Sequence, residues 1–325
     1  MIQRKKRLVL FLPHRADPDE GVRVAADLLP LELLQIAAFP DQEGYDCQIV
    51  DAMVHDDYLE RVLELCDGAL CFASSCILGF QVAHGARVAR AVRERYPKLP
   101  IIWGGWFPSV LPEAYLQEGI ADAVGLGQGE LTFRDVVQAL DAGAALDQVP
   151  GLALLREGRM VLTEHRPVVG FDKIPDAPWH LLDYELYVDR QQNPGPWKLR
   201  HKYPDPWDMP PATPIRGFSY YSSFGCPEPC TFCCSPSVTD RRWKAIPGKL
   251  CAERLLECHV YRFCPKPCTR STTPRGCAPT RRLRTMPSGC APGVMTTSFT
   301  KTPRSSPSMV CSTVSVRRII GGWAP

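Results

Sequence analysis

The sequence predicts an α/β fold: a doubly wound domain, then a second region that starts another α/β unit, then a basic tail. One observation behind this is the alternation of short apolar runs with amphipathic helical segments from residue 7 onward. A second is a break in composition. Residues 258–325 contain 11 Lys or Arg and no Asp or Glu, so they carry +11, whereas the other residues carry 27 minus 35, or −8.

Five strands that alternate with helices account for residues 1–143. The predicted strands are short apolar runs, as expected for a parallel sheet covered on both faces: Leu8–Leu12, Cys47–Val50, Ala69–Ala73, Ile101–Trp103 and Ala121–Gly125. The predicted helices carry an apolar face or begin at a helix-start residue: Pro30–Phe39, Tyr58–Leu65, Gly79–Tyr96 and Glu130–Leu140. This order predicts a flavodoxin-like doubly wound domain.

Residues 144–213 are interpreted as a connector that wraps a domain surface. It contains a possible hairpin, Gly151–Leu155 with Arg159–Thr163. Residues 214–257 then begin a second domain, because a strand at Phe218–Ser222 leads directly into Gly225-Cys226. Residues 258–325 hold 18 Ser/Thr, nine Pro and six Cys without helical or strand periodicity, so we expect a largely disordered tail.

Composition limits the class of protein. The chain has 325 residues, 45% of them apolar, which is enough for a core and excludes disorder throughout. No apolar run reaches the ~18 residues of a membrane span, and Leu8–Pro13 is too short for a secretory signal, so a cytoplasmic location is expected. The chain has 15 cysteines, which in a reducing compartment indicate metal or redox chemistry before disulfides.

The sequence from Cys226 to Cys233, CPEPCTFC, carries the strongest chemical signal. Three thiolates on one loop after a strand, Cys226, Cys230 and Cys233, can each bind one iron of a cubane cluster and leave the fourth iron open. The prolines stiffen the loop, and the adjacent Cys234 is poorly placed as a ligand. The competing interpretations are a chance cluster or half of a zinc site.

This motif, with an aromatic Phe232 before its third cysteine, resembles the cluster loop of radical S-adenosylmethionine (SAM) enzymes. The upstream segments WGGWFPSVLP at Trp103–Pro112 and GQGE at Gly127–Glu130 resemble the cobalamin-binding domain that precedes the barrel in one branch. That branch includes the anaerobic magnesium-protoporphyrin ester cyclase type and cobalamin-dependent radical methylases. The resemblance covers roughly residues 7–257, and the order of its parts is its most specific feature.

The resemblance implies a four-iron four-sulfur (4Fe-4S) cluster on the three cysteines, with SAM bound at the open iron. It implies reductive SAM cleavage that drives radical methyl transfer to, or oxidation of, an unactivated carbon of a small-molecule substrate. It also implies a one-electron reductant such as a flavodoxin or ferredoxin. Phe232 is assigned to the cofactor site, and no catalytic residue is assigned.

The predicted cobalamin site lies at the carboxyl ends of the strands, where open α/β sheets bind ligands. Gly104 and Gly105 allow close backbone approach, and Ser74 and Ser75 can hydrogen-bond a nucleotide tail. The segment with Gly127, Gly129 and Glu130 opens a helix, whose N–H groups favour polar ligand atoms. The Asp-x-His-x-x-Gly pattern of proteins that use a histidine as the lower cobalt ligand is absent.

Only 92 residues follow Cys233, too few for a full (β/α) barrel, so an incomplete radical SAM barrel is expected. Three interpretations of the tail stay open: nucleic-acid binding, a second cluster at Cys264 and Cys268, or a reading frame lost near residue 258. The last is favoured because acidic residues stop abruptly, and few aromatics argue against nucleic acid.

Two further functions stay open. One is a radical methylthiotransferase acting on tRNA, although Pro13 and His14 stand where that family places a cysteine after the first strand. The other is a non-catalytic cobalamin-binding module with a vestigial barrel fragment, which would bind cobalamin without a cluster.

Overall fold

The fold is taken from a computed structural model of the chain. It describes residues 6–15, 29–187, 215–263 and 313–319, with side chains in 6–15, 29–187 and 220–255. Elements are numbered along the chain within these residues. Most of the tail and residues 188–213 of the expected connector lie outside them.

The centre of the fold is a parallel sheet with strand order β2-β1-β3-β4-β5. Its strands are β1 (Arg7–Leu12), β2 (Asp46–Asp51), β3 (Cys71–Ser75), β4 (Ile101–Gly104) and β5 (Ala123–Gly125). This is the flavodoxin-like order, and it confirms the predicted doubly wound domain. The order reverses between β1 and β3, which opens a crevice at the carboxyl ends of the strands.

Helices cover both faces of the sheet. Their bounds are α1 (Leu31–Gln42), α2 (Tyr58–Cys66), α3 (Phe80–Arg95), α4 (Trp106–Val110), α5 (Pro112–Gln117) and α6 (Glu130–Asp141). The alternation of side chains along β1 shows how the layers form. Val9 and Phe11 join the core under α2 and α3, while Leu8, Leu10 and Leu12 join the core under α1 and α6. The short helices α4 and α5 were not predicted.

The predicted hairpin forms, but it belongs to the sheet. Strand β6 (Leu152–Arg156) pairs antiparallel with β5, and β7 (Arg159–Leu162) pairs with β6, which gives seven strands. The turn between them holds Glu157 and Gly158 at φ +50° and +74°. The sheet therefore continues past residue 143, where the first domain was expected to end.

The rest of the described connector packs between the sheet and the second region. Apolar residues from 171 to 187 form one buried cluster with side chains from α1 and from the second region, among them Leu34, Tyr220, Ile246 and Leu255. The guanidinium of Arg254 donates hydrogen bonds to the carbonyl oxygens of Phe171 (3.2 Å) and Ile174 (2.7 Å). The apolar residues of this part of the connector are buried at the junction, whereas polar ones such as Asp172 and His180 are exposed. The connector that wraps a domain surface stays a prediction.

The second region contains short elements in antiparallel pairs. They are β8 (Ile215–Tyr221), β9 (Ser223–Gly225), α7 (Ser235–Val238), β10 (Trp243–Ala245), α8 (Gly248–Phe263) and β11 (Thr313–Ile319). Strand β9 pairs with β10, and β8 pairs with β11. Among the described residues beyond 214 the strands pair only antiparallel, so no closed parallel barrel is built there.

Two elements lie in the segment that was expected to be a largely disordered tail. Helix α8 continues through residue 258 to Phe263, and residues 313–319 form β11. Backbone pairing with β8 supplies the hydrogen bonds of β11, a long-range interaction that periodicity within the tail does not reveal. Within the described residues no helix is long and apolar enough to cross a membrane.

Candidate functional site

A cavity of about 210 Å³ lies at the carboxyl ends of β3, β4 and β5. Helices α1 and α6 form one side of it, and the segment that contains β8, β9 and α7 forms another. The residues that shape it include Glu32, Gln35, Trp103, Trp106, Phe133, Phe171, Tyr221, Phe224 and Cys226. The cavity therefore lies between the first domain and the start of the second.

Seven residues predicted for the cobalamin site line this single cavity. They are Ser74, Ser75, Gly104, Gly105, Gly127, Gly129 and Glu130. Topology explains the grouping, because the carboxyl ends of neighbouring parallel strands meet at one edge of the sheet. Phe232, the eighth predicted cofactor residue, is not among the lining residues, and its side chain is 89% exposed.

Two glycines at the end of β4 have different local requirements. A Cβ added at Gly104 would meet no atom within 4 Å, so the backbone there faces open space. Gly105 has φ +99°, and a Cβ there would collide with the carbonyl oxygen of Cys76. Only glycine fits at position 105, whereas the backbone at Gly104 is open to the approach of a ligand.

The two serines that end β3 are buried at the cavity wall. Ser74 Oγ donates a hydrogen bond to the carbonyl oxygen of Phe11 over 3.1 Å. Its hydroxyl proton is therefore engaged with the sheet, while the oxygen retains a lone pair for a ligand donor. The expected contact of Ser74 and Ser75 with a nucleotide tail stays a prediction.

Two carboxyl groups face the cavity. Burial raises the pKa of Glu130 to about 7, and the carboxyl atom Oε2 is buried without a hydrogen-bond partner among the described residues. Burial also raises the pKa of Glu32 on α1, which the charge of Arg15 opposes. Sequence reasoning missed Glu32 and Gln35. The available signal was that both are polar residues near the start of an otherwise apolar helix.

The GQGE segment also forms hydrogen bonds with the connector beside the cavity. The side-chain amide of Gln128 donates to the carbonyl oxygen of Val169 over 3.2 Å, and its oxygen accepts the Val169 N–H over 2.7 Å. Gly127 has φ +69°, and a Cβ there would lie 2.9 Å from the carbonyl oxygen of Val238 in α7. The first domain and the second region are thus in close contact at this point.

The cysteine loop (residues 226–233) leaves β9 at the rim of this cavity. Its three predicted ligands are half-buried, and Cys226 lines the cavity. Cys233 donates its backbone N–H to the Cys230 carbonyl oxygen over 3.2 Å, and its Sγ accepts the Ser235 N–H over 3.4 Å. The structure does not bring these three thiols together. Among the described residues there is no group of three or more His, Cys, Asp or Glu side chains that could hold a metal ion.

The chemistry of the donor set fits an iron–sulfur cluster, because three thiols in one short loop match the ligand preference of iron in such clusters. The cavity offers polar contacts to a ligand, because its open backbone at Gly104 and the unpartnered oxygen of Glu130 face the same space. The chain turns from β9 into the cysteine loop at Gly225, which has φ +88°.

The chain is similar in sequence to a known domain family and to several curated proteins. Residues 21–137 match the B12-binding domain family. The chain is 30% identical over 188 residues to the anaerobic magnesium-protoporphyrin IX monomethyl ester cyclase of Synechocystis sp., covering 55% of this chain and 36% of the cyclase. It is 25% identical over 239 residues to the hopanoid C-3 methylase of Methylococcus capsulatus, covering 72% and 40%. The chain spans half or less of the length of these curated relatives.

Two solved structures share the fold. The cobalamin-dependent SAM radical enzyme OxsB with aqua-cobalamin bound has a TM-score of 0.59 and 16% identity, over 78% of this chain and 32% of OxsB. The radical SAM methyltransferase TsrM from Kitasatospora setae, with tryptophan and a SAM analogue bound, has a TM-score of 0.56 and 14% identity. That match covers 79% of this chain and 46% of TsrM.

Proposed function

We propose that this protein, which carries a B12-binding domain and is related to cobalamin-dependent radical SAM enzymes, binds cobalamin at the carboxyl edge of its sheet and a 4Fe-4S cluster on its cysteine loop. The expected family resemblance is confirmed by the domain match and by the relatives. The reaction proposed is radical methyl transfer to, or oxidation of, an unactivated carbon of a small molecule, with electrons from a flavodoxin or ferredoxin.

One observation carries this proposal: a single cavity is lined both by the edge of the B12-binding domain and by Cys226 of the cysteine loop. The cofactors of a radical methyl transfer must lie near one another and near the substrate, since reacting groups need close approach. Cobalamin and the cluster-bound SAM would supply the group and electron transfers there.

The residues of the chain would hold these groups in distinct ways. Cys226, Cys230 and Cys233 would ligate the cluster, and the open iron would take SAM. Gly104 would admit the corrin, and Ser74 and Ser75 would accept or donate hydrogen bonds at the sheet edge. The apolar walls around Trp103 and Phe133 would exclude water from the bound cofactor.

The test is anaerobic reconstitution with iron, sulfide and cobalamin, reading iron content and visible absorbance. We expect about four irons per chain in the wild type, loss of iron in Cys230→Ala, and cobalamin retained in both. Cys251→Ala is the matched control, because Cys251 is a half-buried cysteine of α8 outside the motif. Equal iron in all three proteins would contradict the cluster assignment.

A second candidate function is a cobalamin-binding module without a cluster. The observation that favours it is that the three thiols are not gathered in the described structure. This function predicts cobalamin bound by the wild type with no iron at any reconstitution ratio. Binding of neither cofactor would exclude both candidates.

A further inference from the structure

Glu130 belongs to the predicted cobalamin site, but the proposed function gives its carboxyl group no role. It is the first residue of α6 and follows Gly127-Gln128-Gly129. Its side chain is 6% exposed and lines the cavity at the sheet edge. A carboxyl group at the start of a helix normally reaches solvent or accepts hydrogen bonds from the first backbone N–H groups. Because buried polar groups are normally hydrogen-bonded, a buried carboxyl group that lines a cavity indicates a contact with a ligand.

The hydrogen bonding of this carboxyl is incomplete. Oε2 is buried and has no partner among the described residues. No Lys, Arg or His lines the cavity in the described part of the chain, so no cation there balances an ionised Glu130. A buried carboxylate without a partner is strongly disfavoured, whereas the protonated acid can give its proton to an acceptor.

The other titratable groups that line the cavity are Glu32 on α1, Tyr221 at the end of β8 and Cys226 after β9. None of them is a cation at neutral pH. Burial is the largest effect on Glu130 and raises its pKa to about 7, against the opposing hydrogen bond of its own backbone N–H. The N-terminus of α6 favours the anion, but desolvation outweighs it.

We propose that Glu130 acts in the cavity as a neutral carboxylic acid whose Oε2 donates a hydrogen bond to an acceptor atom of bound cobalamin, and that cofactor affinity therefore falls as Glu130 ionises. Amide carbonyl oxygens of the corrin side chains are acceptors of the required kind. The proposal rests on the proposed function, because cobalamin is the ligand. It adds a proton-dependent control of loading.

The experiment measures cyanocobalamin binding to the full chain between about pH 6 and pH 9, by equilibrium dialysis and by quenching of tryptophan fluorescence. Trp103 and Trp106 line the cavity and supply the optical signal. Cyanocobalamin is chosen because its cobalt carries no titratable water. We expect the wild-type Kd to rise about tenfold from pH 6 to pH 8, as the neutral fraction falls by that factor across the pKa.

Three variants separate the possible causes. Glu130→Gln keeps a donor that does not titrate, so its affinity is expected to match the wild type near pH 6 and to stay constant to pH 9. Glu130→Ala removes the donor and is expected to bind about fivefold to tenfold more weakly at every pH, the loss of one hydrogen bond. Glu118→Gln changes an exposed carboxyl that does not line the cavity, and it is expected to keep the wild-type affinity and pH dependence.

Other results would overturn the inference. A wild-type Kd that is constant with pH, which needs no variant to establish, contradicts it. So does a Glu130→Gln profile that follows the wild type, or a Glu118→Gln profile that becomes flat. If folded wild-type protein and all variants bind no cyanocobalamin at any pH, cobalamin binding itself fails, a different result from binding without pH dependence.

Discussion

The hydroxyl of Tyr187 donates a hydrogen bond to Oδ2 of Asp51 over 3.0 Å, across 136 residues of chain. Asp51 is fully buried at the end of β2, and its Oδ1 accepts the backbone N–H of Met53 over 2.8 Å. Tyr187 belongs to the connector and is itself 2% exposed. This pair holds the described end of the connector against the carboxyl edge of the sheet.

Tyr187→Phe should lower the free energy of unfolding by about 1–3 kcal/mol, because it removes a buried donor from a carboxyl group. Chemical denaturation near pH 7.5 measures the loss. Tyr96→Phe is the control, since the Tyr96 hydroxyl donates to the neutral carbonyl oxygen of Leu63 over 2.8 Å and should cost less. Equal losses in the two variants would show that the Asp51 contact has no special strength.

Asp51 should make stability depend on pH. Burial raises its pKa to about 6, above the value of 3.8 for an unperturbed aspartate. The folded state then binds the proton more tightly, so the contribution is complete below about pH 4 and is lost as pH rises through 6. Asp51→Asn removes this dependence.

Denaturation at about pH 4, 6 and 7.5 tests this sign. The wild type should lose on the order of 2–3 kcal/mol relative to Asp51→Asn between the first and last pH. A wild-type profile parallel to that of the variant would mean that Asp51 does not titrate in this range.

Cysteine reactivity should divide the described thiols into two groups. Burial raises the pKa of Cys66 and Cys71 to about 12 and of Cys76 to about 11, so these thiols stay protonated and shielded. The half-buried cysteines of the cysteine loop are accessible. Brief alkylation of the native apoprotein followed by peptide mass mapping should label the loop and spare the three core cysteines.

Complete labelling in denaturant is the control for that experiment. Labelling of Cys71 in the native protein at the rate of Cys230 would contradict the burial of β3. The four cysteines Cys47, Cys66, Cys71 and Cys76 were expected to be small buried apolar residues, and all four are buried.

Gly225→Ala should impair iron incorporation. Gly225 has φ +88°, and an added Cβ would collide with the carbonyl oxygen of Arg242 in the turn before β10. Strain of this kind costs about 1–3 kcal/mol and falls directly before Cys226. Iron content after anaerobic reconstitution measures the effect.

Gly248→Ala is the matched glycine control, because a Cβ added at Gly248 meets no atom within 4 Å. Its iron content should equal that of the wild type. Equal iron in Gly225→Ala would mean that the geometry of β9 does not set the position of the loop.

Local patterns were sufficient to predict much of the fold. The apolar runs predicted all five parallel strands within a few residues, since a strand covered on both faces needs little beyond its own side chains to be recognised. The same patterns did not predict that β6 joins β5, because the choice of an edge partner depends on long-range pairing. Helices α4 and α5 were missed because prolines interrupt the short segment from Trp106 to Gln117.

The residues of the candidate site likewise include some that local sequence patterns predict and others that depend on long-range packing. Residues at strand ends, such as Ser75 and Gly104, were predictable because topology alone brings them to one edge. Glu32 and Tyr221 reach the cavity from a helix face and from the second region, so their position depends on packing between distant parts of the chain. The same is true of the hydrogen bonds between Gln128 and Val169.

The pairing of β11 with β8 has a consequence for the handling of shortened chains. Seven residue pairs join the two strands, from Ile215 with Ile319 to Tyr221 with Thr313. Cutting the chain after Glu257 to remove the basic residues would also uncover one edge of β8, and an uncovered edge readily pairs with another molecule. Self-association that the full chain does not show would therefore report the missing strand.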